Sequence, residues 1–268
     1  MLTPNSKVSR TANIQVNSGS LARFLSRVTT DTPAVPLRLL FTNDGVSCWT
    51  MNAGKTLMVM LDNEPLDDYK VKEPCVLVCN PKELGDMVRS KGKGEVVRIK
   101  TAAGEAIVVS TKGRGGVEVM PADEDDCMTI PDRNTLPISD GKRLFPMFDN
   151  EPATSEALLT NHELRKALSE MVTANAPYVV MTLGPKSEAR SGHWNGKTNR
   201  SWTPLTATVS GPEFTVSFTD SLKTLIGVLR SEETPLKVSK HHKGQFVVVE
   251  TLSEPFITIV ATEAIKEV

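Results

Sequence analysis

Val76-Leu77-Val78-Cys79-Asn80-Pro81-Lys82-Glu83-Leu84-Gly85-Asp86-Met87-Val88-Arg89 reads as an apolar strand, a cap, and an amphipathic helix that ends on a basic residue. Gly92 follows, and then the alternating Val96-Val97-Arg98-Ile99. The same order returns later: Phe214-Thr215-Val216-Ser217-Phe218 as a strand, Asp220-Ser221-Leu222-Lys223-Thr224-Leu225-Ile226-Gly227-Val228-Leu229-Arg230 as a helix, and Pro235-Leu236-Lys237-Val238 as the next strand. A chain that repeats strand, capped helix and strands in this way is expected to hold two similar domains in tandem.

Length and composition agree with that expectation. The 268 residues are enough for one or two domains, and the repeat favours two. Hydrophobic residues at 39% and charged residues at 24% describe an ordinary globular protein, and no apolar run approaches the roughly 18 residues of a membrane span. Met1 to Arg10 is polar and lacks the apolar core of a secretory signal, so an intracellular, soluble protein with no membrane partner is expected. Cys48, Cys75, Cys79 and Cys127 read as reduced core thiols in a chain too large to need stapling. A net charge of −1 argues against a surface that coats nucleic acid everywhere, but leaves room for one basic face.

Along the chain, residues 1–11 read as a tail, 12–121 as a first domain, 122–156 as a linker and 157–268 as a second domain. Strand Ala12 to Asn17 precedes a helix capped by Ser18, with Leu21, Phe24, Leu25 and Val28 on one stripe. Strands Leu37 to Thr42 and Val46 to Met51 flank the turn Asn43-Asp44-Gly45, and Thr56 to Leu61 follows. Cys75 to Cys79 leads into the helix capped by Asn80, with Pro81 at its first position and Glu83 completing a capping box. Strands at Ile107 to Ser110 and Gly116 to Met120 close the first half.

Residues 121–156 contain Asp123-Glu124-Asp125-Asp126, five prolines and isolated large apolar residues, including Ile130, Leu136 and Ile138, so part of this linker should pack or present a groove edge. Asn161 is expected to cap a third helix carrying Leu164, Leu168, Met171 and Val172 on one face. Tyr178 to Leu183, Trp202 to Ser210 and Phe214 to Phe218 read as strands, with a polar loop from Gly184 to Arg200. After the helix Ser221 to Arg230 come strands at Leu236 to Lys240, Gln245 to Glu250 and Phe256 to Ala261. The fold class is α+β: two tandem domains, each made of two βαβββ units.

No motif supports catalysis, a cofactor or a metal. Ala53-Gly54-Lys55-Thr56 and Gly196-Lys197-Thr198 resemble the end of a phosphate loop, but Trp49 and Ser191 stand where it needs a glycine, and Thr56 leads into a strand. Lys112-Gly113-Arg114-Gly115-Gly116 reads as a hairpin turn. His241 and His242 are adjacent in a strand and so face opposite ways, and His162 and His193 are isolated. Neither a nucleophile elbow nor a paired-acid motif is present, so no enzyme activity is expected.

What remains is positional. Each predicted helix carries cations off its apolar stripe: Arg23 and Arg27, Lys82 and Arg89, Arg165 and Lys166, Lys223 and Arg230. Singly, such charges are ordinary solvation. In four equivalent helices, gathered on one concave side by sheets laid outward, they would make a basic lining in a protein of net charge −1.

At this point the chain, from Ala12 to Ala261, resembles a sliding clamp of the proliferating-cell nuclear antigen type, the ring-shaped DNA polymerase processivity factor. The resemblance rests on Leu39-Leu40-Phe41-Thr42-Asn43-Asp44-Gly45-Val46, on Asn80 to Arg89, on Thr234-Pro235-Leu236 before Lys237-Val238-Ser239, and on Phe256-Ile257-Thr258-Ile259-Val260-Ala261. A longer linker, an enlarged loop at 184–203 and the absence of proline after Ala261 mark a divergent member, with a viral or an archaeal source open.

The resemblance implies a head-to-tail homotrimer that encircles duplex DNA without reading its sequence and tethers a DNA polymerase and other replication proteins, placed on DNA by a clamp loader. The basic residues just named would face DNA. Subunits would join through Gly116, Val117, Glu118, Val119 and Met120 on one side, and Leu205, Thr206, Ala207, Thr208 and Val209 on the other. The partner groove would use Leu144, Phe145, Met147 and Phe148, with Ala261 and Thr262. Two alternatives stay open: a monomeric or dimeric factor of this fold that grips DNA by charge, and an interaction scaffold without DNA contact.

Overall fold

Apolar–polar alternation in the sequence becomes alternation of burial in the structure, a computed structural model that describes residues 9–29, 34–51, 57–102, 105–122, 138–139, 142–143, 153–174, 176, 178–192, 201–218, 222–229, 233–241, 246–252 and 256–262. The chain divides into two units, Met1–Ala53 with Val59–Asn134, and Gly54–Met58 with Thr135–Val268.

The first unit runs β1 (Ala12–Asn17), α1 (Ser18–Val28), β2 (Leu37–Thr42), β3 (Gly45–Met51), β4 (Leu57–Glu64), β5 (Lys70–Val71), β6 (Cys75–Cys79), α2 (Pro81–Ser90), β7 (Val96–Thr101), β8 (Ile107–Thr111) and β9 (Arg114–Val119). Its strands lie in two orders, β5-β1-β7-β8-β9 and β4-β3-β2-β6. Ala12, Ile14 and Val16 of β1 point into the core, as do Leu37, Leu39 and Phe41 of β2 and Cys75, Leu77 and Cys79 of β6. The two helices pack side by side. Leu21, Phe24 and Leu25 of α1 and Leu84 and Val88 of α2 are all buried, each such side chain contributing on the order of 1.5–3 kcal/mol.

The second unit begins with a two-strand pairing of β10 (Ile138–Ser139) and β11 (Lys142–Arg143). It continues through β12 (Ser155–Thr160), α3 (Asn161–Thr173), β13 (Tyr178–Leu183), β14 (Glu188–Gly192), β15 (Trp202–Pro204), β16 (Thr208–Ser210), β17 (Phe214–Phe218), α4 (Leu222–Val228), β18 (Pro235–His241), β19 (Phe246–Thr251) and β20 (Phe256–Thr262). The orders here are β16-β12-β18-β19-β20 and β15-β14-β13-β17. Strand for strand these repeat the first unit. Setting aside β10 and β11 and the short strands β5 and β16, the chain is four βαβββ units.

Several expectations are corrected. The segment Trp202 to Ser210 is not one strand. The buried Leu205 still follows the β14 register, its N–H donating to Ser187 O at 2.9 Å one step beyond the Glu188–Pro204 pair, but the Thr206 N–H donates to Glu163 Oε1 at 2.9 Å, so the chain leaves β15 there and restarts as β16. β16 pairs with β12 as β5 pairs with β1, so Leu205, Thr206 and Ala207 are a connection between strands. The loop expected at 184–200 contains β14, in which Ala189 is buried opposite Met181. Caps move by one residue. The Asn17 side chain accepts from the N–H groups of Gly19 and Ser20, and Thr160 Oγ1 accepts from Glu163 N–H, so Ser18 and Asn161 are the first helical residues. Asn80 and Pro81 stand as expected, with the Asn80 side chain accepting from Lys82 and Glu83 N–H.

Tyr69 ties down the β2–β3 turn, its hydroxyl donating to Thr42 O at 2.6 Å. Burial pushes its phenol well above the usual range, reinforced by Cys75 and Asp44. Gly45 lies in the same turn at φ +147°, where an added Cβ would come within 2.5 Å of Glu64 O. Gly85, mid-α2, is different: an added Cβ would sit in ordinary contact, 3.7 Å from Leu25 Cβ. One substitution should therefore act with opposite signs. In urea denaturation, Gly45→Ala is expected to lose roughly 1–3 kcal/mol, and Gly85→Ala to gain roughly 0.5–1 kcal/mol from helix propensity.

Candidate nucleic-acid interface

The helix pair of each unit carries the cations singled out in the sequence, and their surroundings sort them. On α1, Arg23 is exposed. Arg27 is not free: its Nη1 donates to Glu64 Oε1 at 2.6 Å, with the two side chains only 11% and 8% exposed. It lies closer to the apolar stripe than its sequence spacing suggests and fastens α1 to β4. On α2, Lys82 and Arg89 are exposed and both reach Asp86, Lys82 Nζ at 3.0 Å and Arg89 Nη1 at 2.6 Å. The Lys82 hydrogen bond holds the Asp86 carboxyl below the usual carboxylate range. Partial desolvation opposes this, while the charges of Lys82 and Arg89 and the Arg89 hydrogen bond add to it.

In the second unit, Lys166 is exposed on α3, whereas Arg165 is half-buried and its Nε donates to Ile226 O in the last turn of α4 at 3.2 Å, bracing the two helices. Lys223 belongs to α4, but its side chain lies outside the described residues, as does Arg230. The acids of α3 are engaged elsewhere, Glu163 with the Thr206 N–H and Glu170 with the Thr203 hydroxyl. Thus Arg23, Lys82, Arg89 and Lys166 are the exposed cations among the described predicted set. Asp86 was legible beforehand, three residues from Arg89 and four from Lys82. Glu64 was not, because nothing local relates it to Arg27.

Of the residues expected at subunit edges, Gly116–Val119 lie in β9, which among the described residues has a strand on one side only, and Met120 just beyond is 74% exposed. On the other expected side, Thr208 and Val209 lie in β16, an outer strand paired with β12 opposite Leu158 and Ala157, and the outer strand of β15-β14-β13-β17 is Trp202–Pro204, where Trp202 is 66% exposed. Leu144, Phe145, Met147 and Phe148 of the expected partner groove lie outside the described residues. Ala261 and Thr262 end β20 opposite Val247 and Phe246, their side chains likewise outside.

Cys48, Cys75 and Cys79 are buried free thiols, and burial pushes the Cys75 thiol up to about 11. Among the described residues no cluster could hold a metal ion, and no helix is long and apolar enough to cross a membrane.

No protein-family model matches this sequence, and no curated protein matches it. Solved structures do. The proliferating-cell nuclear antigen (PCNA) of A. fulgidus, solved with the C-terminal region of FEN-1 bound, superposes with a TM-score of 0.68 at 11% identity, covering 96% of this chain and 100% of that one. The Entamoeba histolytica antigen gives 0.63 at 12%, covering 96% and 100%, and a PCNA2–PCNA3 complex from Sulfolobus tokodaii 0.63 at 10%, covering 94% and 98%. The fold is that of a PCNA-type clamp. With identity this low, the likeness to the clamps is one of backbone fold.

Two outcomes test the charge assignments made here. Glu64→Leu, which strands the Arg27 guanidinium, should lose about 3 kcal/mol in urea denaturation, and the double variant Arg27→Met/Glu64→Leu clearly less. In an NMR pH titration the Asp86 carboxyl should have its midpoint below the ordinary value near about 3.9, and Lys82→Ala should raise it. Because the folded-state value is the lowered one, the stability this cluster supplies is present above the unfolded value and is lost as pH falls through the folded one.

Proposed function

We propose that this protein is a DNA sliding clamp: a polymerase processivity factor that performs no chemistry, closes a ring around duplex DNA and tethers replication proteins to it. The observation that carries this reading is the clamp fold along 96% of the chain, in which β9 and β15 are each paired on one side only among the described residues. A row of unpaired backbone groups is a template for another strand. Joining β9 of one copy to β15 of the next is a heterologous contact, which forms a ring when its rotation closes, and exposed Met120 and Trp202 supply apolar surface beside it. A homotrimer is the assembly proposed. The Sulfolobus structure, a complex of PCNA2 with PCNA3, supports association between chains of this fold.

Arg23, Lys82, Arg89 and Lys166, with Lys223 and Arg230, are the DNA-facing set in this reading; Arg27 and Arg165 serve the fold. Sliding requires weak contacts that carry no sequence information. Two of the exposed cations already share Asp86, so retention by enclosure fits these helices better than a grip by charge. Leu144, Phe145, Met147 and Phe148, with Ala261 and Thr262, are proposed to receive partner segments, as a FEN-1 segment is bound by the A. fulgidus clamp. A clamp loader and a location at replicating DNA follow from the same reading.

Light scattering across a concentration series should give three times the 29.2 kDa chain mass, and Trp202→Asp should lower it. Once loaded, the protein should stay on circular duplex and leave when the circle is cut. Arg23→Glu/Lys82→Glu/Arg89→Glu should reduce the loaded fraction about tenfold or more, whereas Asp86→Asn should slow escape. A monomer at every concentration, or retention indifferent to cutting, would sink the ring.

A further inference from the structure

The described structure has a second concentration of positive charge, away from the helices. In β5-β1-β7-β8-β9 the buried residues Ala12, Ile14, Val97 and Ile99 face the core, so the alternate residues form the opposite, solvent face. Gln15 there lies between Lys70 and Arg98, and Asn13 is opposite Lys100. The Lys72 N–H donates to Asn13 O at 3.2 Å, extending the ladder so that Lys72 completes the second row. All four cations are exposed, and none has an ion pair among the described residues. Strand geometry puts the two columns roughly 10 Å apart, with roughly 7 Å between the cations of each column. The result is a shallow strip, amides along its middle and cations along both sides.

The fold does not require this. The equivalent strands of the second unit carry a single cation on the corresponding face, Lys237, and two glutamates hold it: Nζ lies 3.4 Å from Glu156 Oε1 and 3.3 Å from Glu250 Oε2. Four unneutralised cations on one face of a chain with net charge −1 repel one another until an anion occupies them.

We infer that this face of the first unit docks an acidic, extended peptide segment of a partner protein. The middle column of Asn13 and Gln15 offers amide groups to a backbone, and the flanking columns take carboxylates on either side. A nucleic-acid strand fits less well. No aromatic ring lies on these rows for base stacking. Glu118, exposed and paired opposite Val108, ends the Lys100 row on the β9 side for any anion. The inference does not rest on the ring, because the cations lie on strands and not on the DNA-facing helices.

Fluorescence anisotropy with a labelled peptide of about ten glutamates, and its glutamine counterpart as control, tests it on the full chain. The glutamate peptide should bind, the glutamine peptide should not, and binding should weaken as salt rises from about 0.05 to 0.2 M. Arg98→Glu/Lys100→Glu and, separately, Lys70→Glu/Lys72→Glu should each weaken it about tenfold or more, with thermal melting and retention on circular DNA unchanged. Failure of the wild-type protein to bind the glutamate peptide, or undiminished, wild-type binding by both double variants, would overturn the inference. So would tighter binding of a short single-stranded DNA that displaces the peptide, which would reassign the face to nucleic acid. Loss of DNA retention in the wild-type protein would instead count against the clamp and leave this result standing.

Discussion

The pairing of β1 with β7 is the interaction on which each unit's architecture turns. Ala12 to Asn17 runs antiparallel to Val96 to Thr101 in continuous register, and Ser155 to Thr160 does the same with Lys240 to Pro235 in the second unit. Setting aside the short β5, neither βαβββ module pairs its first strand with its own later strands: β1 pairs with β7 of the second module, and β6 with β2 of the first. This exchange brings α1 beside α2 and α3 beside α4, and it pushes the last strand of the first unit, β9, to an outer edge. The helix faces and the open edges are therefore two results of one pairing.

Much of this was legible in the sequence, and the failures have physical causes. Ala12 to Asn17 alternates strictly between apolar and polar residues, and its bounds in the structure are those expected from the sequence. β14 was missed because Glu-Ala-Arg-Ser-Gly offers one apolar residue, Ala189, and its place comes from pairing with β13. The break between β15 and β16 was invisible because Leu205, Ala207 and Val209 continue the apolar alternation while the Thr206 N–H leaves the ladder for the Glu163 side chain. Both misplaced caps lie where two adjacent residues are each good cap formers, Asn17 with Ser18 and Thr160 with Asn161, and composition cannot say which one leaves the helical backbone.

The charged site shows the same division. Spacing placed the cations on the wet sides of four helices and held the Lys82–Asp86–Arg89 cluster in plain view. It could not separate Arg23 from Arg27, because that distinction is made by Glu64, which arrives from another strand. Nor could it separate Lys166 from Arg165, whose guanidinium braces a helix far along the chain. An identity of 10–12% beside TM-scores of 0.63–0.68 has the same origin: alternation and strand order constrain which positions are apolar, and leave wide freedom in which apolar residue fills each.

The long reach of the β1–β7 pairing also bears on how the protein is made. Ala12 finds its partner in Thr101, so the first strand leaves the ribosome well before the strand that completes it. Contacts this distant in sequence are slow to form, and at roughly 5–20 residues per second of synthesis the nascent segment waits seconds with Ile14 and Val16 unsheltered. Assembly of the first unit during translation is thus set by the emergence of β7, and chaperone protection of the early strands matters most in that interval.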